Sequence, residues 1–326
     1  MDKIITIGVP TKNRIFCIDR VLASILSQTH PKGNIKIVFV DESDDGTYER
    51  LLQFREKHRD DYLDIRILRS ESNGYISAVR NICIKNMEGD VMFFWDSDVM
   101  APDNNALGRV LQSLEGENAA VAGLPYYCEN PCLYERIMQA ETELGGMGFT
   151  AIRREIFNKA GLFNEKLKVN EDTDFLARVR IHGMKVNFED GTPCLHLRPQ
   201  MPNYRFRNNF SDYKRRLRWC FNNVPGLYAE MIGAGSRPHL FRVLYYLALP
   251  PIIILWLVNF SYPIIPTVLA TIFVALYVLF NLSYHIWKAS RNRVWGIVAF
   301  AYHTPCGIAI SYGLVSKFLK DIFEKQ

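Results

Sequence analysis

The amino-terminal two thirds of the chain alternates short apolar runs with longer mixed ones. Residues 4–9 (IITIGV), 35–40 (IKIVFV), 65–68 (IRIL) and 91–95 (VMFFW) are rich in β-branched and aromatic residues and read as strands. Between the first two, Ile18, Val21, Leu22, Ile25 and Leu26 recur at helical spacing, with Pro31 and Gly33 breaking that helix. Residues 47–58 and the stretch carrying Ala78, Val79, Arg80 and Asn81 read as two more helices. This alternation implies an α/β domain with a doubly wound, mostly parallel sheet. Pro10 is expected to end the first strand. Residues 91–95, without a charge, form a strand buried on both faces at the centre of the sheet. Further on, helices are expected at 105–114, 153–160 and 170–182, and short strands at 119–123, 186–188 and 194–197. Gly145-Gly146-Met147-Gly148 either lets backbone approach a ligand or forms a plain loop.

The pattern changes near residue 235. Residues 243–287 contain no Asp, Glu, Lys or Arg, a stretch of about 45 residues and enough for two bilayer crossings. Spans are expected at 240–259 and 264–284, forming a hairpin. Residues 294–316 are a third uncharged stretch. It is either a crossing, which its length favours, or a re-entrant segment broken at Pro305-Cys306-Gly307. The expected organisation is a catalytic domain at 1–200, a basic interfacial segment at 201–238 and C-terminal transmembrane helices at 239–326.

Charge sharpens this division. The chain of 326 residues carries a formal charge of +5. Between positions 198 and 218 there are seven Lys or Arg against one acid, Asp212. The patch lies just before the first apolar stretch, so a membrane surface is the expected partner and nucleic acid is not. Residues 211–222 read as an amphipathic helix, with Tyr213, Leu217, Cys220 and Phe221 on one side and Lys214, Arg215 and Arg218 on another. No signal peptide precedes the first strand, so the catalytic domain is expected in the cytoplasm, at the plasma membrane. The seven cysteines are scattered without a Cys-x-x-Cys pair, which fits reduced thiols.

The candidate chemistry begins at Asp96-Ser97-Asp98, where the central strand leaves the sheet. Ligands of open α/β sheets bind outside the carboxyl ends of the strands. Two acids there can hold Mg²⁺ or Mn²⁺, which takes oxygens from protein and from a substrate phosphate. His196, from a later strand end, is a candidate third ligand. A second Asp-x-Asp, Asp172-Thr173-Asp174, follows Asn170 and Glu171 at a helix start. There Asn170 can cap, and the acids can serve simply as partners of the helix dipole.

Together these stretches resemble the family 2 glycosyltransferases, which have the A-type nucleotide-sugar-binding fold. Pro10-Thr11-Lys12-Asn13 resembles P-x-x-N. Residues 40–47 (VDESDDGT) resemble V-D-D-G-S-x-D-G-T, one residue shorter. Asn73-Gly74 with Ala78-Val79-Arg80-Asn81 resembles N-x-G-x-x-x-A-R-N. Asp96-Ser97-Asp98 matches D-x-D. Glu171-Asp172-Thr173-Asp174-Phe175 with Arg178 resembles E-D-x-D-(L/F)-x-x-R, and Arg215-Arg216-Leu217-Arg218-Trp219 matches the (Q/R)-x-x-R-W of membrane-bound members. The resemblance implies a hexosyltransferase. Pro10, Thr11, Asn13, Asp41, Arg80, Asp96 and Ser97 would bind the donor, with Asp41 meeting the base. Asp98, with Asp96, would hold the metal. Asp172, with Glu171 beside it, would be catalytic as the base. Arg215, Arg218 and Trp219 would close over the diphosphate or the acceptor.

The expected reaction is an inverting, metal-dependent transfer from a UDP- or GDP-sugar to a hydroxyl of a membrane-associated glycolipid or growing glycan. Two alternatives stay open: a polyprenyl-phosphate acceptor, which needs no base, and a nucleotidyltransferase of related fold. A third, non-enzymatic reading is a membrane anchor that kept the fold.

Overall fold

A computed structural model describes residues 4–72, 75–115, 119–128, 136–137, 145–167, 171–188, 192–197, 213–214, 216–218, 220–222, 224, 237–258, 265–289 and 293–323. The chain forms two compact units. One comprises Met1–Asn130 with Leu144–Met201, the other Pro131–Glu143 with Pro202–Gln326.

The first unit is built on the expected apolar runs. Strands β1 (Ile5–Thr11), β2 (Ile35–Asp41) and β4 (Val91–Trp95) are buried at every position, as strands covered by helices on both faces must be. β3 (Asp64–Arg69) lies outside them. On one face, α1 (Ile18–Leu26), α2 (Thr47–His58) and α4 (Ala106–Gln112) cover Ile7, Val9, Phe93 and Trp95. On the other, α3 (Ile76–Lys85), α5 (Arg154–Ala160) and α6 (Glu171–Ile181) cover Val38, Val40, Met92 and Phe94. The alternation along β4 therefore feeds two cores. Gly8 allows this packing on the second face, since a Cβ there would lie 2.9 Å from the Cys83 Cβ of α3.

The sheet order is β3-β2-β1-β4, then β7 (Gly145–Arg153), β6 (Ala119–Cys128), β9 (Cys194–His196) and β5 (Val99–Met100), with β8 (Lys185–Phe188) paired to β6. The expectation of a mostly parallel sheet holds for the first four strands and is corrected beyond them. β7 runs antiparallel to both β4 and β6, and β5 runs antiparallel to β9. Only β8 and β9 restore parallel pairing, both against β6. The sheet is mixed because, after the chain crosses from β4 through α4 to β6, β7 returns antiparallel between those two strands. Two local expectations change with it. Residues 119–123 are only the first half of a ten-residue strand, and the glycine-rich stretch 145–148 is the start of β7.

Pro10 does not end β1. The β1–β2 ladder runs from Ile5↔Ile35 through Thr11↔Asp41, whereas the β1–β4 ladder stops at Gly8↔Phe94. The Thr11 carbonyl accepts from Glu42 N on the β2 side, so the Pro10 peptide group faces the other way. On that side β4 has already left, and the missing proline N–H interrupts no rung. The seam between β1 and β4 is thus parted at its carboxyl end.

The second unit contains three long helices, α7 (Arg237–Val258), α8 (Ile265–Lys288) and α9 (Arg293–Phe323), over the three uncharged stretches. Among the described residues, only Arg293–Leu319 is a helix long and apolar enough to cross a membrane; Val243–Ile254 and Thr271–Trp287 are shorter apolar helices. The three pack through aromatic rings, with Tyr245 stacked 4.9 Å from Tyr277 and the Tyr277 hydroxyl 2.8 Å from Thr304 Oγ1. Another side of α9 packs Ala299, Tyr302 and Cys306 against Ile137, Tyr213, Leu217 and Cys220. Lys214 and Arg218 are exposed, as the amphipathic pattern requires; Phe221, at the margin of the apolar stripe, is exposed too. Along α8, Val268, Leu269, Ile272, Leu276, Leu279 and Phe280 are exposed.

Candidate active site

Where β1 and β4 part, a cavity of about 420 Å³ opens at the carboxyl ends of the strands. Its floor is the turn after β4. Val99 N donates to the Asp96 carbonyl, which closes the turn, and Asp96 N donates to the Gly148 carbonyl of β7 at 2.8 Å. Ser97 is buried, and its hydroxyl donates to the Pro10 carbonyl at 2.8 Å. That bond acts as one side-chain rung across the parted seam.

Asp98 points to the opposite wall. Its Oδ2 lies 2.9 Å from Arg14 Nη2 and 3.4 Å from His196 Nε2. The pairing Val99↔His196 and the bond from Leu197 N to the Asp98 carbonyl bring His196 there from β9, while its Nδ1 stands 3.5 Å from Cys128 Sγ. Burial works to raise the Asp98 pKa, but His196 and Arg14 hold it below the usual carboxylate value. Burial likewise works against a charged His196, yet the bond to Asp98 pushes its pKa up to about 10. Two cationic groups therefore converge on one carboxylate oxygen. A divalent cation suits such a place, with carboxylate oxygen and imidazole nitrogen as ligands. The imidazole must give up its proton to bind one. Asp96 is turned differently: burial raises its pKa, and its Oδ1 receives Arg80 Nη2 at 3.3 Å. Among the described residues, no three His, Cys, Asp or Glu side chains stand close enough together to hold a metal as they are.

Glu171 and Asp172 open α6 at the cavity wall. Glu171 is buried, and its Oε1 receives Arg80 Nη1 at 2.5 Å. Burial raises its pKa, with Arg80 opposing. Asp172 is half-buried, and its Oδ1 accepts from Thr173 N at 2.7 Å. The later part of the same block is structural. Arg178 pairs with Asp174 at 2.8 Å and donates to the carbonyls of Ala160 and Leu162, tying α6 to the end of α5.

The other end of the cavity is set by polar loops. Thr11 is buried, with its hydroxyl on the Val9 carbonyl. Asp41 is fully buried; Ser43 Oγ donates to it at 2.6 Å and Arg69 Nη1 at 2.5 Å, and the half-exposed Arg69 lies over the Tyr48 ring. Asn13 has a φ of 52°, which asparagine tolerates. Its N–H donates to Ser43 Oγ, and its Oδ1 accepts from Asp44 N, so it joins the first loop to the second. Pro10, Thr11, Arg80, Asp96 and Ser97 thus line the cavity with Asp98, Asp172 and His196, whereas Asp41 and Asn13 stand behind its rim. In the second unit Arg218 is exposed; Arg215 and Trp219 lie outside the described residues, as do Asn73, Gly74 and Asn170.

Residues 6–182 match the family described as Glycosyl transferase family 2. The chain belongs to glycosyl transferase family 2. It is 28% identical over 192 residues to an uncharacterized glycosyltransferase of Haemophilus influenzae, covering 54% of this chain and 61% of that protein. It is 30% identical over 125 residues to the processive diacylglycerol beta-glycosyltransferase of Mycoplasma pneumoniae, covering 38% and 36%. Against these and a third relative, glycosyltransferase AglE of Haloferax volcanii, the chain spans from 36% to 61% of the relative's length. Among solved structures, it resembles mannosyltransferase PcManGT from Pyrobaculum calidifontis in complex with GDP-Man and Mn²⁺. The TM-score is 0.62 at 16% identity, over 100% of this chain and 89% of that one. This likeness concerns the fold alone. The family 2 match ends before His196 and before residues 215–219.

Family 2 membership leaves several site residues that the motifs did not mark. Arg14 and Tyr126 line or back the cavity without belonging to any of the motifs; Glu42, inside the 40–47 motif, lines it too and accepts from Lys12, Ser70 and Ser72. For Tyr126 the signal was hidden because β6 read as a shorter strand. The Tyr126 hydroxyl accepts from Gly148 N. A Cβ on Gly148 would stand 2.6 Å from both Asp96 Oδ2 and Tyr126 Oη, so only glycine lets these two groups meet the strand here. Gly148→Ala is expected to lower stability by about 1–3 kcal/mol, as overpacking does, and to displace Asp96. A melting curve alongside an activity assay checks this; an unchanged melting temperature with full activity speaks against the crowding.

Proposed function

We propose that this chain is an inverting, metal-dependent glycosyltransferase, moving a sugar from a nucleotide-sugar donor to a hydroxyl of a membrane-associated acceptor. The observation that carries the reading is one cavity, at the carboxyl ends of the central strands, lined by Asp96, Asp98, Asp172 and His196. Asp98 and His196 would hold Mn²⁺ or Mg²⁺. When bound, the ion offsets charge developing on the departing nucleoside diphosphate. The chain's own residues do the rest. Thr11 lines the nucleoside end of the cavity, with Asp41, Asn13, Ser43 and Arg69 behind its rim. Asp172, half-exposed in the same cavity, takes the proton from the acceptor hydroxyl. One base and one acceptor make a single displacement, so the anomeric configuration inverts.

The exposed apolar stripe of α8 and the 27-residue apolar segment Arg293–Leu319 support a second unit embedded in the bilayer. The PcManGT structure holds GDP-Man and Mn²⁺, which makes GDP-sugars natural first donors to test, beside UDP-sugars.

The test is a panel of labelled UDP- and GDP-sugars incubated with membranes carrying the protein, followed by separation of lipid from polymer products. Transfer from one donor, dependent on Mn²⁺ or Mg²⁺ and giving an inverted linkage, is expected. A retained linkage, or full transfer in excess chelator, rules the mechanism out.

A further inference from the structure

Arg80 is 4% exposed, yet it lines the cavity. Its guanidinium lies 5.7 Å from the ring centroids of both Phe94 and Phe163. The fork ends on two carboxylates, Nη1 on Glu171 Oε1 at 2.5 Å and Nη2 on Asp96 Oδ1 at 3.3 Å. These carboxylates belong to different segments. Asp96 begins the turn that carries Asp98. Glu171 is the first residue of the helix whose second residue is Asp172. Among the described residues no ladder joins the two segments: β4 pairs with β1 and β7, while α6 packs chiefly on α5 and β8.

We propose that Arg80 is a positioning residue whose fork holds the metal-side turn and the base-side helix start at a fixed separation. The role rests on the glycosyltransferase reading above and adds to it. The two aromatic rings restrict where the guanidinium can go, and the fork presents two donors at once, which a lysine ammonium cannot do in the same plane. Glu171 is then the far anchor of this link, and Asp172 beside it is the residue being aimed. Among the described residues Asp172 has no comparable tether; its hydrogen bonds are to the neighbouring Thr173. Its direction is set by the helix end that Glu171 fixes. Reacting groups misplaced by about 1 Å can cost about a hundredfold in rate.

The experiment uses the full chain in detergent, with Arg80→Lys, Glu171→Gln and the double variant. The readouts are Mn²⁺-dependent binding of UDP or GDP, turnover of the donor that the wild type uses, the Mn²⁺ concentration giving half the maximal rate, and the melting temperature. Arg80→Lys is expected to lose about a hundredfold in kcat and to need about tenfold more Mn²⁺, because both ends of the link move. Glu171→Gln keeps the size of the anchor and is the companion variant should Arg80→Lys fold poorly. It is expected to lose about tenfold in kcat with nucleotide binding unchanged. The double variant should be no slower than Arg80→Lys within about threefold, since residues acting as one unit are not additive. A packing role alone predicts losses that follow the melting temperature, single effects that multiply, and an unmoved Mn²⁺ requirement; that pattern overturns the proposal. So does wild-type-like turnover in both single variants. A wild type that binds neither nucleotide with Mn²⁺ overturns the glycosyltransferase reading itself, and the positioning role with it.

Discussion

Asp172→Asn is expected to slow transfer to a hydroxyl acceptor by at least about a hundredfold, within the range that general-base catalysis contributes. Two roles compete for this side chain, and they differ in size. As a partner of the helix dipole, a carboxylate in the first turn of α6 is worth about 0.3–1 kcal/mol. The bond from Thr173 N to Oδ1 belongs to that role, and asparagine keeps an Oδ1 that can accept it. What asparagine cannot do is take a proton from the acceptor. Melting temperature and nucleotide binding should therefore stay near wild type while kcat collapses. A variant within a few-fold of wild type on a hydroxyl acceptor would remove the base assignment. It would also turn attention to an acceptor that arrives already ionised, such as a polyprenyl phosphate.

Asp98→Ala should abolish turnover and Mn²⁺-dependent binding of nucleoside diphosphate, since a hard cation at this place needs the carboxylate oxygen. The change has a second effect. Arg14 and His196 both rest on Asp98 Oδ2, and without it two neighbouring cations face one another. Some loss of stability is expected for that reason alone. Asp98→Asn separates the effects, because it keeps an oxygen between the two cations and gives up the charge. Both variants should be inactive at any Mn²⁺ concentration, and Asp98→Asn should melt closer to wild type. Activity that persists in Asp98→Asn, or in wild type stripped with a chelator, contradicts a metal held at this position.

Much of the first unit was legible because its strands are apolar on both faces. The runs at 35–40 and 91–95 admit few other readings, and helices such as 47–58 follow from their apolar spacing and flanking turns. The second half of the sheet was less legible. β6 and β7 run through Pro125 and several glycines, whose local preferences favour loops, and the pairing Gly123↔Thr150 and its neighbours make strands of them. The site divides in the same way. Asp96, Asp98, Asp172 and His196 were legible from motif and strand-end position, and they share one cavity. Arg14, Tyr126 and the tie of Arg80 to Glu171 were not, because each depends on which segments meet in space. The fate of Pro10 shows the limit well: its residue type signals a strand end, but the local signal cannot reveal that the neighbouring strand stops first.

The parted seam between β1 and β4 bears on how chains of this kind diverge. Below it lie backbone rungs and packed apolar side chains; above it lie short loops, at 12–14, 42–46 and 96–98. Those loops can be rewritten without opening a void or stranding a buried peptide group beneath them. Sequence can then drift far while the frame persists. An alignment that spans the whole chain at a TM-score of 0.62, with only 16% of residues shared, shows one fold carried by two very different sequences.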